Sequence, residues 1–253
     1  MAVRKAGRIV AAVAATALLA GGAAACGPED LTGGSDDKGS ASESAATGGS
    51  GGPEAKEPPA GNDALAKTPA TVKGGVITVG DPKAAHTVKL YEDARCPICK
   101  KFEETGAQAL VKPVTDGKVK VEYTLASFLD KNLGGSGSVN AANALRASVD
   151  AGKFPQFHAA VFANQAEVET DDAYTPAFLL KIADKVDGLR GAEFDKAVHK
   201  GTYKKWVGEA MQAFTDDGMQ GTPTVVIDGK KADSNSLFDQ DTFAKELKAS
   251  GIS

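Results

Sequence analysis

Apolar positions along the chain fall into two rhythms. Short, β-branched runs at 76–79, 88–91, 119–125 and 224–227 have the length and composition of strands. After the second run, Phe102, Ala107, Leu110 and Val111 recur at helical spacing and predict a helix reaching about residue 114. A glycine-rich loop at 133–138 follows the third run, and then helical patterns occupy 139–151, 155–164, 175–186, 193–199 and 203–217. Pro155 and Pro176 stand in the first turns of their helices, where a missing N–H costs nothing. After the fourth run, Asp228-Gly229 is a two-residue hairpin signal leading to 230–232, and 241–249 closes as a helix.

The N-terminal region has neither rhythm. Arg4, Lys5 and Arg8 precede an apolar run at 9–20 and then Gly21-Gly22-Ala23-Ala24-Ala25-Cys26. About 12 apolar residues is short of the roughly 20 that cross a bilayer, so residues 1–25 read as a secretory signal that is cleaved off. Cys26 after three alanines resembles a bacterial lipoprotein lipobox, whose cysteine becomes the lipidated N-terminus. Ala23 stands where leucine is usual, which leaves open ordinary cleavage with Cys26 as a free thiol. Lipidation is preferred because an unmodified exposed thiol outside the cell is a liability. Either route takes the protein out of the cytoplasm, anchored through Cys26 to the outer face of a bacterial membrane or secreted.

Residues 26–70 read as a disordered tether. From residue 27 on, Leu31 and Leu65 are its only large aliphatic side chains, too few for a core. A flexible chain of this length spans roughly 35–40 Å end to end. Its eight acidic residues against Lys38, Lys56 and Lys67 would be repelled by an anionic membrane. Residues 71–253 suit one domain with a substantial core. With 25 acidic and 23 basic residues and no basic cluster among aromatics, that domain shows no sign of nucleic-acid binding. No dimerisation segment is evident, and a monomer is expected.

The candidate chemistry lies between the second strand and the helix after it, at Cys96-Pro97-Ile98-Cys99. Pro97 suits a first helical turn, and a sulfur at a helix start faces free N–H groups that favour thiolate. Cys99 is on the same helix face, within reach of a disulfide. Two plainer roles compete. A structural staple closing four residues would contribute only about 2 kcal/mol. A zinc site would need further ligands, and His86, His158 and His199 are scattered in the chain, so no metal is expected. Redox exchange is the preferred reading. The run Gly134-Gly135-Ser136-Gly137 lacks the Lys-Ser/Thr of a phosphate loop and reads as a flexible connection.

A strand, a C-x-x-C helix with Phe102 and Glu103 beyond the second cysteine, a strand, a helical block, then Gly221-Thr222-Pro223-Thr224 before a hairpin resemble the DsbA-type thioredoxin-fold disulfide oxidoreductases. The resemblance implies an α/β thioredoxin fold, a mixed central sheet with an inserted helical domain at about 139–217. It further implies that Cys96 is the nucleophile and Cys99 the resolving cysteine of a redox-active disulfide, and that Thr222-Pro223 is a cis-proline loop that binds substrate beside Cys96. No cofactor is called for. Expected partners are reduced or misoxidised secreted proteins and a membrane redox partner. A dithiol oxidase is favoured by the oxidising compartment. A reductase or isomerase of the same fold, and a peptide-binding lipoprotein with a structural disulfide, remain as alternatives. Glu103 is read as a solvated helix carboxylate, and His158 and His199 as surface or packing residues.

Overall fold

Two central strands, β3 (His86–Asp93) and β4 (Val119–Ala126), run parallel, with Leu90 opposite Tyr123 and Asp93 opposite Ala126. The second half of each is buried on both sides, which is why their apolar runs are nearly continuous. The computed structural model describes residues 53–58 and 62–252 of the chain. The signal segment, Cys26 and the tether up to residue 52 lie outside the described residues.

Joining the two parallel strands are α1 (Pro97–Glu104) and α2 (Gln108–Thr115). The single helix expected to reach residue 114 is therefore two. The break falls at Thr105–Ala107, where a Cβ on Gly106 would lie 2.0 Å from the Leu237 carbonyl oxygen, so only glycine lets the two backbones approach. The sheet extends on one side through β2 (Val76–Val79), antiparallel to β4, to β1 (Ala70–Lys73) at the edge. On the other side β5 (Thr224–Ile227) pairs antiparallel with β3, and β6 (Lys230–Lys231) closes the hairpin. The order is β1-β2-β4-β3-β5-β6.

Between β4 and β5 stand α3 (Leu129–Leu133), α4 (Gly137–Asp150), α5 (Phe154–Ala163), α6 (Pro176–Ala183), α7 (Ala192–Lys200) and α8 (Lys204–Asp216); α9 (Gln240–Ala249) ends the fold. This is a thioredoxin fold with an inserted helical domain. Small residues Ala141, Ala144 and Ala147 let α4 pack closely against α5, α7 and α8. One continuous core joins sheet and helices, from Ile77 and Leu90 to Phe157 and Leu179.

The tether expected over 26–70 does not run free to its end. Both main-chain groups of Lys56 bond the Asn164 side chain, N–H to Oδ1 at 2.6 Å and C=O from Nδ2 at 3.0 Å. Glu57 pairs with Lys185 at 2.7 Å. Ala55 and Leu65 pack on the core, the latter from a 3-10 turn at Asn62–Leu65. Two apolar contacts, an ion pair and a main-chain clamp fasten a segment whose composition reads as solvated.

Candidate active site at the start of α1

Cys96 is the N-cap of α1, extended at φ −72° and ψ 116°, with Pro97 opening the helix. Its N–H bonds the Asp93 carbonyl at 2.9 Å, and its own carbonyl accepts the first helical bond from Lys100. The sulfur is thereby held at the positive end of the helix. Thr224 stands opposite Tyr91 in the β3–β5 ladder, so the residues just before it arrive beyond the end of β3, beside Cys96. The Thr222–Pro223 peptide is cis, and the Thr222 carbonyl lies 3.4 Å from Cys96 Sγ. Four residues from opposite ends of the domain, Cys96, Cys99, Thr222 and Pro223, are thus neighbours or one turn apart.

The two thiols are in opposite electrostatic surroundings. A hydrogen bond from the Cys99 thiol, outweighing burial, together with bonds from the Thr222 side chain and the N–H groups of Cys99 and Ile98, brings Cys96 down from 9.0 to about 6. Cys99 is pushed up, by burial first and then by Cys96 and Glu92. Both cysteines are free thiols, Cys96 7% exposed and Cys99 fully buried. Cys96 itself is nearly covered. The Thr222 loop covers much of it, while neighbouring Ile98 stands out at 47%.

Three buried polar side chains fix the loop that carries Cys96. Asp93 accepts bonds from the Arg95 and Leu129 N–H groups and from Ser138 Oγ, and burial still lifts it to about 6. Arg95, whose side chain is buried, reaches Asp130 Oδ1 at 2.9 Å, the Gly134 carbonyl at 2.7 Å and the Glu169 carbonyl at 3.2 Å. Asp130 in turn caps α4 through the N–H groups of Ser138 and Val139. Gln165 Nε2 donates to the carbonyls of Ala94 and Cys96.

A carboxylate cluster beneath the thiols corrects two sequence expectations. Glu103 is not a solvated helix carboxylate, and His158 does more than pack. The helix places Glu103 four residues beyond Cys99 on the same face, where α5 covers it. The His158 ring stands between two acids: Nε2 hydrogen-bonds Glu92 Oε1, and Nδ1 lies 3.7 Å from Glu103 Oε2. Burial raises Glu92 well above the usual carboxylate range and Glu103 to about 8, and it lowers His158. Among the described residues these three could hold a metal ion, with facing atoms within 4.8 Å of one another, although the two ring nitrogens face different acids. A signal was present in the sequence: Val88, Leu90 and Glu92 share one face of a buried strand, an odd place for a charge. His199, by contrast, is exposed at the end of α7.

Known proteins share this arrangement of elements. The chain is 28% identical over 193 residues to disulfide bond formation protein D of Bacillus subtilis, covering 74% of this chain and 83% of that one. The crystal structure of oxidised BdbD from Bacillus subtilis superposes with a TM-score of 0.58 at 21% identity, covering 79% of this chain and 98% of that one. MdbA, a thiol-disulfide oxidoreductase from Corynebacterium matruchotii, gives 0.55 at 26% identity, covering 69% and 94%. The family model described as thioredoxin matches residues 72–248, from the edge strand to the last helix, and the chain belongs to that family.

Proposed function

We propose that the protein is an extracytoplasmic thiol-disulfide oxidoreductase that forms disulfides in secreted proteins, with Cys96 as nucleophile, Cys99 as resolving cysteine and Thr222-Pro223 as the substrate-binding loop. The observation that carries this reading is the asymmetry of the pair: an acidic thiol at a helix start over a buried, weakly acidic one. The relatives named for disulfide bond formation and thiol-disulfide oxidoreduction support it.

The reaction is two exchanges. A substrate thiolate attacks Cys96 Sγ of the oxidised protein, the Cys96–Cys99 bond breaks, and Cys99 leaves as a thiolate that takes up a proton. The second substrate thiolate then attacks the substrate sulfur of the mixed disulfide and expels Cys96, which its surroundings stabilise as thiolate. Substrate loses two electrons and the cysteine pair gains them. Thr222 offers main-chain groups beside Cys96 with which an extended substrate segment pairs by strand addition. A membrane redox partner would reoxidise the pair.

The residues before 53 are read as a cleaved signal (1–25) and a tether starting at Cys26, which we take to be lipidated. No helix among the described residues is long and apolar enough to cross a membrane. Mass spectrometry of the mature N-terminus tests this, with an unmodified Cys26 pointing to secretion.

A Cys96 value of about 6 lies between roughly 7 for thioredoxin and 3.5 for DsbA, and that favours keeping a reductase or isomerase as the second reading. Equilibration of the purified protein with glutathione buffers decides between them. A reduction potential toward roughly −120 mV supports the oxidase, one near roughly −270 mV the reductase, and one well below roughly −300 mV returns the pair to a structural staple.

A further inference from the structure

Two thioethers stand beside the loop that faces Cys96, and the exchange reaction uses neither. Met1 belongs to the segment read as a signal; the other two methionines of the chain, Met211 and Met219, pack against one cluster around Tyr91, Ala126 and Phe214. Met211 is on α8, and Met219 follows its end, where the Met219 N–H bonds the Phe214 carbonyl at 3.1 Å. Both side chains are half-buried, so neither is sealed from solvent. Met211 Sδ accepts the Ser127 N–H at 3.0 Å and holds the turn just beyond β4. Leucine would fill a similar volume but could not accept that bond. Phe128, the next residue, packs on the methionine cluster, its ring 5.6 Å from that of Phe214, and also on the cluster of Cys96, Cys99, Leu129 and Phe162. Met219 stands three residues before Thr222, whose carbonyl lies 3.4 Å from Cys96 Sγ. Each thioether is therefore linked to the reactive sulfur, Met211 through Ser127-Phe128 and Met219 through the Thr222 loop.

We propose that Met211 and Met219 are a methionine oxidation site, at which hydrogen peroxide converts thioether to sulfoxide and thereby slows disulfide exchange at Cys96. The effect, though not the modification, rests on the redox reading of the cysteine pair. At each sulfur the peroxide O–O bond breaks, one oxygen bonds to sulfur, which loses two electrons, and the other oxygen leaves with both hydrogens as water. A thiol-dependent sulfoxide reductase reverses the change. Oxygen added to Met211 on the side of Ser127 has no room at 3.0 Å; added on the other side, it draws electrons from the lone pair that accepts the bond. Either way the hold on Ser127 and Phe128 weakens. At Met219 the new dipole lies in the cluster of Tyr91, Phe214 and Val226, where the Tyr91 hydroxyl is already given to Asp217. A polar oxygen without a donor is costly there, so the side chain withdraws and the start of the Thr222 loop moves with it.

The mature protein is treated with hydrogen peroxide while its Cys96–Cys99 disulfide is closed, so that no thiolate is exposed there. Peptide mass mapping then reads the oxygen on each methionine, and exchange is timed with a synthetic peptide carrying two cysteines. Met211 and Met219 are each expected to take up one oxygen in the folded protein, and exchange to slow by about three- to tenfold. A methionine sulfoxide reductase restores the rate, and in the double variant Met211→Leu, Met219→Leu the rates with and without peroxide agree. Should the double variant fail to fold, the reductase-restored parent serves as the comparison. Sulfurs that resist peroxide until the protein is unfolded overturn the site. So does an oxidised protein whose exchange stays within about twofold of the untreated one, or a double variant that slows as much as the parent. An untreated disulfide that does not react with the peptide at all refutes the redox reading, and the effect with it, whereas resistance of the two sulfurs leaves that reading intact.

Discussion

The acidity of Cys96 is the property from which the proposed reactivity follows, and its source can be perturbed at one atom. With a value of about 6 in place of 9.0, the sulfur is about nine-tenths thiolate at pH 7, where an unperturbed thiol would be about one-hundredth. The value is lowered in the folded, reduced protein. Its stabilisation is therefore fully present above about pH 9 and lost as pH falls through about 6. At pH 7 this is at most about 1.4 kcal/mol in favour of the reduced state, or about 30 mV on a two-electron couple. The leading cause is the hydrogen bond from Cys99, so Cys99→Ala removes the largest stabilising partner. A bond to a charged group contributes about 1.5–3 kcal/mol, and the Cys96 midpoint should rise by about one to two units. Stopped-flow alkylation against pH measures both midpoints. A parent midpoint near 9, or one that does not move in Cys99→Ala, refutes the assignment.

Four further expectations rest on other parts of the fold. Gly106→Ala forces a methyl group into the Leu237 carbonyl and should cost about 1–3 kcal/mol in urea unfolding, or more if the α1–α2 corner cannot shift. Arg95→Met leaves the partly buried Asp130 without its cation and should cost up to about 3 kcal/mol, which the same titration reads. Glu103, raised from 4.5 to about 8, favours the folded state below about pH 4.5 and loses that contribution as pH rises through 8; thermal melts should fall over this window and flatten in Glu103→Gln. Asn164→Ala should free the Lys56 amide to exchange with solvent while the β3 and β4 amides stay protected.

Local pattern and long-range placement differed in how well the sequence revealed them. The strands at Val76–Val79 and Thr224–Ile227 were readable to the residue, because β-branched runs bounded by glycine or proline admit few other structures. Strand β1 was hidden by its shortness and half-buried alternation at the boundary between tether and domain, and the five-residue α3 is too short to establish a period. Cys96 and Cys99 declared themselves by spacing alone. Thr222 and Pro223 lie more than a hundred residues away, and only the family resemblance pointed to them. Glu103 was misread because a helix records which face a residue occupies but not what a distant segment lays over that face. The covering element, α5, begins some fifty residues later. Arg95 had no signal of its own, since its partners Asp130, Gly134 and Glu169 are spread along the insertion.

Asn164 and Gln165 are consecutive, and they face opposite clients. Asn164 grips the main chain of Lys56, whereas Gln165 grips the carbonyls of Ala94 and Cys96. A load that reaches the Lys56 clamp is therefore one peptide unit from the side chain that supports Cys96. Residues 53–58 and the main chain at Cys96 are thus linked through that single step of backbone, so displacing one shifts the groups that hold the other.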